Sequence, residues 1–97
     1  MKGCILSPEA RNDLHEIWEF IAVDSIDAAD RVISEIEEAC NKLSEMPGLG
    51  HQRSDLTDKP LRFWTVRSYL VVYRPERKPL EIVRILSGYR DVTLLLQ

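Results

Sequence analysis

A chain of 97 residues, 44% of them apolar, suffices for one domain with one modest core, and no apolar run approaches the roughly 20 residues needed to cross a bilayer. Its net charge of −3 is unevenly spread: residues 1–50 hold four Lys or Arg against eleven Asp or Glu, giving −7, and residues 51–97 hold nine against five, giving +4. That basic half suits an acidic peptide, a phosphate backbone or an acidic protein groove, but is too weak to specify nucleic acid by itself. Nothing at Met1-Lys2-Gly3-Cys4 resembles an export signal, so a cytoplasmic protein is expected, with Cys4 and Cys40 as buried thiols.

Gly3 to Leu6 reads as a short opening strand. Ser7-Pro8 then starts a helix, with serine as N-cap and proline at the first helical position. Ala10, Leu14, Ile17, Trp18 and Ile21 recur at three- and four-residue steps, with Arg11, Asn12, Glu16 and Glu19 opposite, which predicts an amphipathic helix ending near Val23. Asp24-Ser25-Ile26-Asp27 supplies capping residues for a second helix whose stripe is Ala29, Val32, Ile33, Ile36, Cys40 and Leu43. Met46-Pro47-Gly48-Leu49-Gly50 stops it, and a polar loop runs to about Pro60. Three strand-like runs follow, Leu61 to Arg67, Tyr69 to Arg74 and Leu80 to Ser87, joined by short reversals. Asp91 to Leu96 reads as a last helical turn or an extended tail.

The expected fold is therefore α+β and a single domain over residues 1–97. An N-terminal strand and an antiparallel two-helix hairpin precede a three-stranded antiparallel meander, with the helices on one face of one sheet. The other face is expected to stay partly open. It is bordered by the loop at 50–60 and by the turn at Gly88, where Arg62, Arg67, Arg84 or Arg90 can meet a partner.

No metal set is legible, since His15 and His51 lie far apart without matching ligand spacing, and no cofactor is expected. Gly48-Leu49-Gly50 lacks the lysine and hydroxyl residue of a phosphate loop, and Ser87-Gly88 has neither a following helix nor a base. Metal-free RNA cleavage would need a base, cations and an acid; Arg84, Arg90 and Tyr89 offer the last two, and no base is evident. Tyr69 and Tyr73 read as packing residues with wet hydroxyls, and Trp18 and Trp64 as core. Arg84 sits among Ile82, Val83, Ile85 and Leu86 and has to find a partner or a ligand: either an acidic side chain across the sheet or a target. Arg90-Asp91 reads as a turn-closing ion pair or as part of a working surface.

Taken together, Leu6-Ser7-Pro8-Glu9-Ala10, the stretch from Leu43 to Pro47 with Leu49-Gly50 and Arg53, the run from Val66 to Tyr73, and Ile82 to Asp91 resemble the RelE/ParE toxin superfamily, on its ParE side. The resemblance implies a toxin of a bacterial type II toxin–antitoxin system, neutralised by a cognate, ParD-like or related antitoxin that wraps it. ParE-type members poison DNA gyrase by contact, whereas RelE-type members are ribosome-dependent mRNA interferases. RNA-cutting relatives carry lysines where this chain has Phe63, Trp64 and Thr65, an arginine where it has Leu70, and often a tyrosine in the tail, where it has Thr93 to Gln97. Only Arg90 matches their phosphate-holding arginine. A binding toxin without catalytic residues is thus expected, with Arg84, Tyr89, Arg90 and Asp91 as candidates for the target contact. Arg53, Arg62, Arg67 and Arg74 are the candidates for the antitoxin contact. Neither membrane association nor sequence-specific nucleic-acid binding is expected.

Overall fold

A computed structural model describes residues 3–87 of the chain. The chain runs β1 (Cys4–Leu6), α1 (Pro8–Ala22), α2 (Ile26–Glu45), a 3-10 turn (Pro47–Leu49), β2 (Arg62–Val66), β3 (Tyr69–Arg74) and β4 (Leu80–Ser87). Strand order in the one sheet is β1-β4-β3-β2. The β2-β3-β4 meander is antiparallel, as its short connections require, while β1 lies parallel to β4 with Leu6 opposite Ile82. The sheet is therefore mixed, and the chain's first strand closes the edge of its last.

Both helices begin where their capping residues place them. Ser7 Oγ accepts from the Ala10 amide at 3.0 Å and donates to the Val83 carbonyl at 2.6 Å, so one hydroxyl caps α1 and ties it to β4. Ser25 Oγ accepts from the Ala28 amide to start α2, after a tight turn in which the amides of Asp24 and Ser25 both donate to the Ile21 carbonyl. The α2 stripe is buried at Ala29, Val32, Ile36, Cys40 and Leu43, and meets Val71, Tyr73, Leu80, Ile82 and Ile85 of the sheet.

Three features differ from the sequence reading. The outer face is less open than expected: Leu61, Phe63, Leu70, Val72 and Leu86 form a second buried cluster, with Leu56 of the loop and Val83 packed against it. The Tyr73 hydroxyl is buried, not wet; it donates to the Pro47 carbonyl at 2.7 Å and accepts from the Gly50 amide at 2.8 Å. A Cβ on Gly50 would lie 2.5 Å from that oxygen, so it is close approach and not a special backbone angle that requires glycine there. Trp18 and Trp64 are half-buried; Trp18 Nε1 donates to Asp30 Oδ1 at 2.8 Å, and Trp64 stacks on His51. His51 also exchanges backbone hydrogen bonds with Phe63, which covers part of the outer edge of β2.

Candidate functional site: the arginines of the sheet

The strand that holds Arg84 is bulged. Val72 lies opposite Arg84 while Tyr73 lies opposite Ile82, so Val83 has no partner on β3 and the in–out alternation shifts by one residue. Before the bulge, Leu80 and Ile82 face the helices; after it Ile85 does, while Val83 and Leu86 join the outer cluster. Strand β1 stops at Leu6, so the edge of β4 beyond Ile82 must be satisfied by something other than a strand. Ser7, the N-cap of α1, and Asp13 within the helix do this. Asp13 Oδ2 accepts from the Ile85 amide at 2.9 Å, and both Asp13 oxygens accept from the Arg84 guanidinium, at 2.8 and 2.9 Å.

Asp13 is the functional-looking residue that the sequence reading passed over. It is three residues after Ala10 and four before Ile17, squarely on the buried stripe, and a carboxylate at such a position must be paired. Its side chain is 10% exposed and that of Arg84 21%. The hydrogen bonds that Arg84 donates to Asp13 hold its pKa above the ordinary value. The acidic partner thus comes from the helix and not from across the sheet.

Of the four candidates for the target contact, Arg84 is the one within the described residues; Tyr89, Arg90 and Asp91 lie outside them, as do Gly88 and the tail. The antitoxin candidates are spread over the molecule. Arg67 occupies the β2–β3 turn, where its guanidinium is gripped by both oxygens of Glu35 on α2 at 2.6 and 2.8 Å, a contact that lowers the Glu35 pKa and raises that of Arg67. At the opposite end of the hairpin, Arg62 Nη1 donates to the Gly50 carbonyl at 2.7 Å. Arg74 faces Glu81 across β3 and β4; its Nε is 3.0 Å from Glu81 Oε1 but off the donor direction, which makes this an ion contact and not a hydrogen bond. Arg53 forms a two-pronged pair with Asp55 of its own loop, which holds that carboxyl below its usual range.

Arg74 and Arg84 come together around a groove of about 260 Å³, with Lys59 as a third cation and Glu9 and Glu81 as the opposing acids. The Ser7 hydroxyl beside this mixed-charge groove is already committed at both its donor and its acceptor sides. Among the described residues no group of three or more His, Cys, Asp or Glu is placed to hold a metal ion. No helix among them is long and apolar enough to cross a membrane. Burial disfavours the thiolate at both cysteines: it raises the Cys4 pKa and pushes that of Cys40 up to about 12.

The chain is thus a small α+β domain whose helical hairpin backs one face of a mixed sheet, with arginines of the sheet held by neighbouring groups. Residues 4–92 match the family described as the ParE toxin of the type II toxin–antitoxin system, parDE, and the chain belongs to that family. Toxin ParE3 of Caulobacter vibrioides is 32% identical over 77 residues, covering 78% of this chain and 76% of that protein. The fold matches a solved structure described as the chromosomal ParDE TA system from P. aeruginosa, with a TM-score of 0.71 over 89% of this chain and 95% of that one, at 20% identity.

Proposed function

We propose that this ParE-family toxin acts in the cytoplasm by binding DNA gyrase and blocking it, without bond-breaking chemistry of its own, and that a cognate ParD-like antitoxin neutralises it. The observation that carries the reading is family membership over residues 4–92, nearly the whole chain. Two details support contact over cleavage. Phe63 and Leu70, at positions where RNA-cutting relatives place cations, are buried in the outer apolar cluster. Arg84, which could have offered a charge to a phosphate, spends it on Asp13.

On this reading the end of β4 is the target surface, with Tyr89, Arg90 and Asp91 making contact and Arg84 holding the strand that presents them. Arg53, Arg62, Arg67 and Arg74, together with the groove beside Arg74, receive the antitoxin, whose acidic side chains exchange with the carboxylates that now hold Arg53, Arg67 and Arg74 and with the Gly50 carbonyl that holds Arg62. A supercoiling assay with purified gyrase tests the first claim. Inhibition with accumulation of cleaved DNA is expected, abolished by Arg90→Ala, and unchanged supercoiling at excess toxin would refute it. Primer extension on translated messages tests the competing ribosome-dependent mRNA interferase reading, for which new codon-positioned cuts would be the signature.

A further inference from the structure

Three of the five large apolar side chains exposed among the described residues fall within residues 20–26, at the tip of the helical hairpin: Phe20 is 80% exposed, Val23 84% and Ile26 59%. Nothing in the local fold asks for them. Val23 caps the C-terminus of α1 and Ile26 opens α2, while the turn between them is made by backbone bonds to Ile21 and by the Ser25 hydroxyl. Both are β-branched residues of middling helix propensity, and a polar side chain would fit either backbone equally well. Phe20 stands off the buried stripe of Ala10, Asp13 and Ile17. Apolar side chains gathered in the open on a small protein mark a contact surface.

The Trp18 indole donates to Asp30 and so ties α1 to α2 close to the turn. A tie of this kind lowers the entropy lost on docking. Its charge narrows the choice of partner. Between His15 and Arg31 the chain carries five carboxylates, Glu16, Glu19, Asp24, Asp27 and Asp30, against the single arginine. Tip-to-tip pairing of two copies would set these carboxylates against each other, and an acidic peptide would be repelled in the same way. The complementary occupant is a surface with an apolar recess ringed by Lys and Arg.

We propose that the hairpin tip, with Phe20 as anchor and Val23 and Ile26 near it in sequence, docks into a cation-rimmed apolar recess on the toxin's target, as a contact additional to that of the end of β4. The inference rests on the gyrase-directed reading, in which the target is an enzyme that must present Lys and Arg to hold DNA. The aromatic side chain supplies most of the affinity, and the carboxylates on the same turns speed encounter.

The test uses the full chain carrying Phe20→Ser, Val23→Ser and Ile26→Ser together, with Asp24→Asn/Asp27→Asn as a second variant. Affinity for purified gyrase is expected to fall about tenfold or more in the triple variant, with supercoiling inhibition falling in parallel. Its affinity for the cognate antitoxin and its melting temperature should stay at wild-type values, because these side chains are exposed. The Asp variant should associate a few-fold more slowly at low salt and lose part of its salt dependence. A triple variant that inhibits gyrase as well as wild type overturns the docking surface alone. So does one that loses antitoxin affinity instead, or a wild-type dimer that the triple substitution dissociates. Wild-type toxin that leaves supercoiling intact overturns the gyrase reading as well, which separates the two failures.

Discussion

Asp13 satisfies three donors at once, two from Arg84 and the amide of Ile85, with its own side chain nearly buried. Removing one partner of such a nearly buried pair strands the other, at a cost of about 3–5 kcal/mol. Against a total stability of about 5–15 kcal/mol for a typical domain, Asp13→Ala should leave the chain marginal or unfolded. Asp13→Asn keeps an oxygen for the Ile85 amide and gives up only the charge, so its urea midpoint should fall between wild type and alanine. Equal midpoints for the two variants would mean that the backbone amide contributes nothing. Tyr73 makes a neutral counterpart: Tyr73→Phe strips partners from the Pro47 carbonyl and the Gly50 amide together and should cost about 1–3 kcal/mol in the same measurement. These costs belong to the fold, so loss of toxicity in any of these variants counts as functional only where the midpoint is unchanged.

The β2–β3 turn shows how a single backbone angle weighs against a side-chain contact at the scale of an element. Arg67 has φ +55°, where glycine is at home and other residues are strained, and it is held there while Glu35 grips its side chain. Arg67→Ala loses the grip and keeps the strain; Arg67→Gly loses the grip and removes the strain. Arg67→Gly should therefore melt above Arg67→Ala by about 4–8 °C, the shift expected when a left-handed penalty is relieved in a domain of this size. Equal melting temperatures would show that the turn relaxes to another conformation once Glu35 lets go. Elements whose signals are local were legible in the sequence: Ser7-Pro8 and Ser25 start helices, and the stripe from Ala29 to Leu43 is buried as its spacing predicts. What depends on a distant partner was not. The parallel seat of β1 on β4 joins residues more than seventy apart, and the bulge at Val83 exists only relative to β3. Its trace in sequence is the pair of apolar doublets, Ile82-Val83 and Ile85-Leu86, on either side of Arg84, which no two-residue period accommodates. The second apolar cluster left a similar trace in Leu70-Val71-Val72-Tyr73, an unbroken apolar run that belongs to a strand covered on both faces. The candidate site was legible as a set of residue types and not as a place, because Arg62, Arg67 and Arg84 are held by groups from elsewhere in the chain, while Arg53 pairs within its own loop.

For the molecule as a whole, the titrating groups give stability a lopsided dependence on pH. On the acid side, Glu35 and Asp55 are held below the usual carboxylate range by Arg67 and Arg53, so their contribution is present above that range and lost as pH falls through their lowered values. Asp55 is exposed and Glu35 partly so, and both pairs lie at the surface where solvent screens them, which keeps the acid limb shallow. The alkaline limb has the opposite sign and a buried origin. Cys40 gives up its proton near the usual 9.0 when unfolded and only near about 12 when folded, because desolvation opposes the thiolate. Between those values the unfolded chain holds fewer protons, so stability falls as pH rises across that window. Cys4 and Tyr73, both raised chiefly by burial, add to the same limb. Urea midpoints under reducing conditions should hold steady near about pH 7–8.5 and then drop progressively toward about pH 10.5. Cys40→Ala should start lower, for loss of buried packing beneath β1, yet decline less steeply, with a residual slope from Cys4 and Tyr73. Parallel curves for wild type and Cys40→Ala would mean that the helix–sheet seam opens to let the thiol ionise before the domain unfolds.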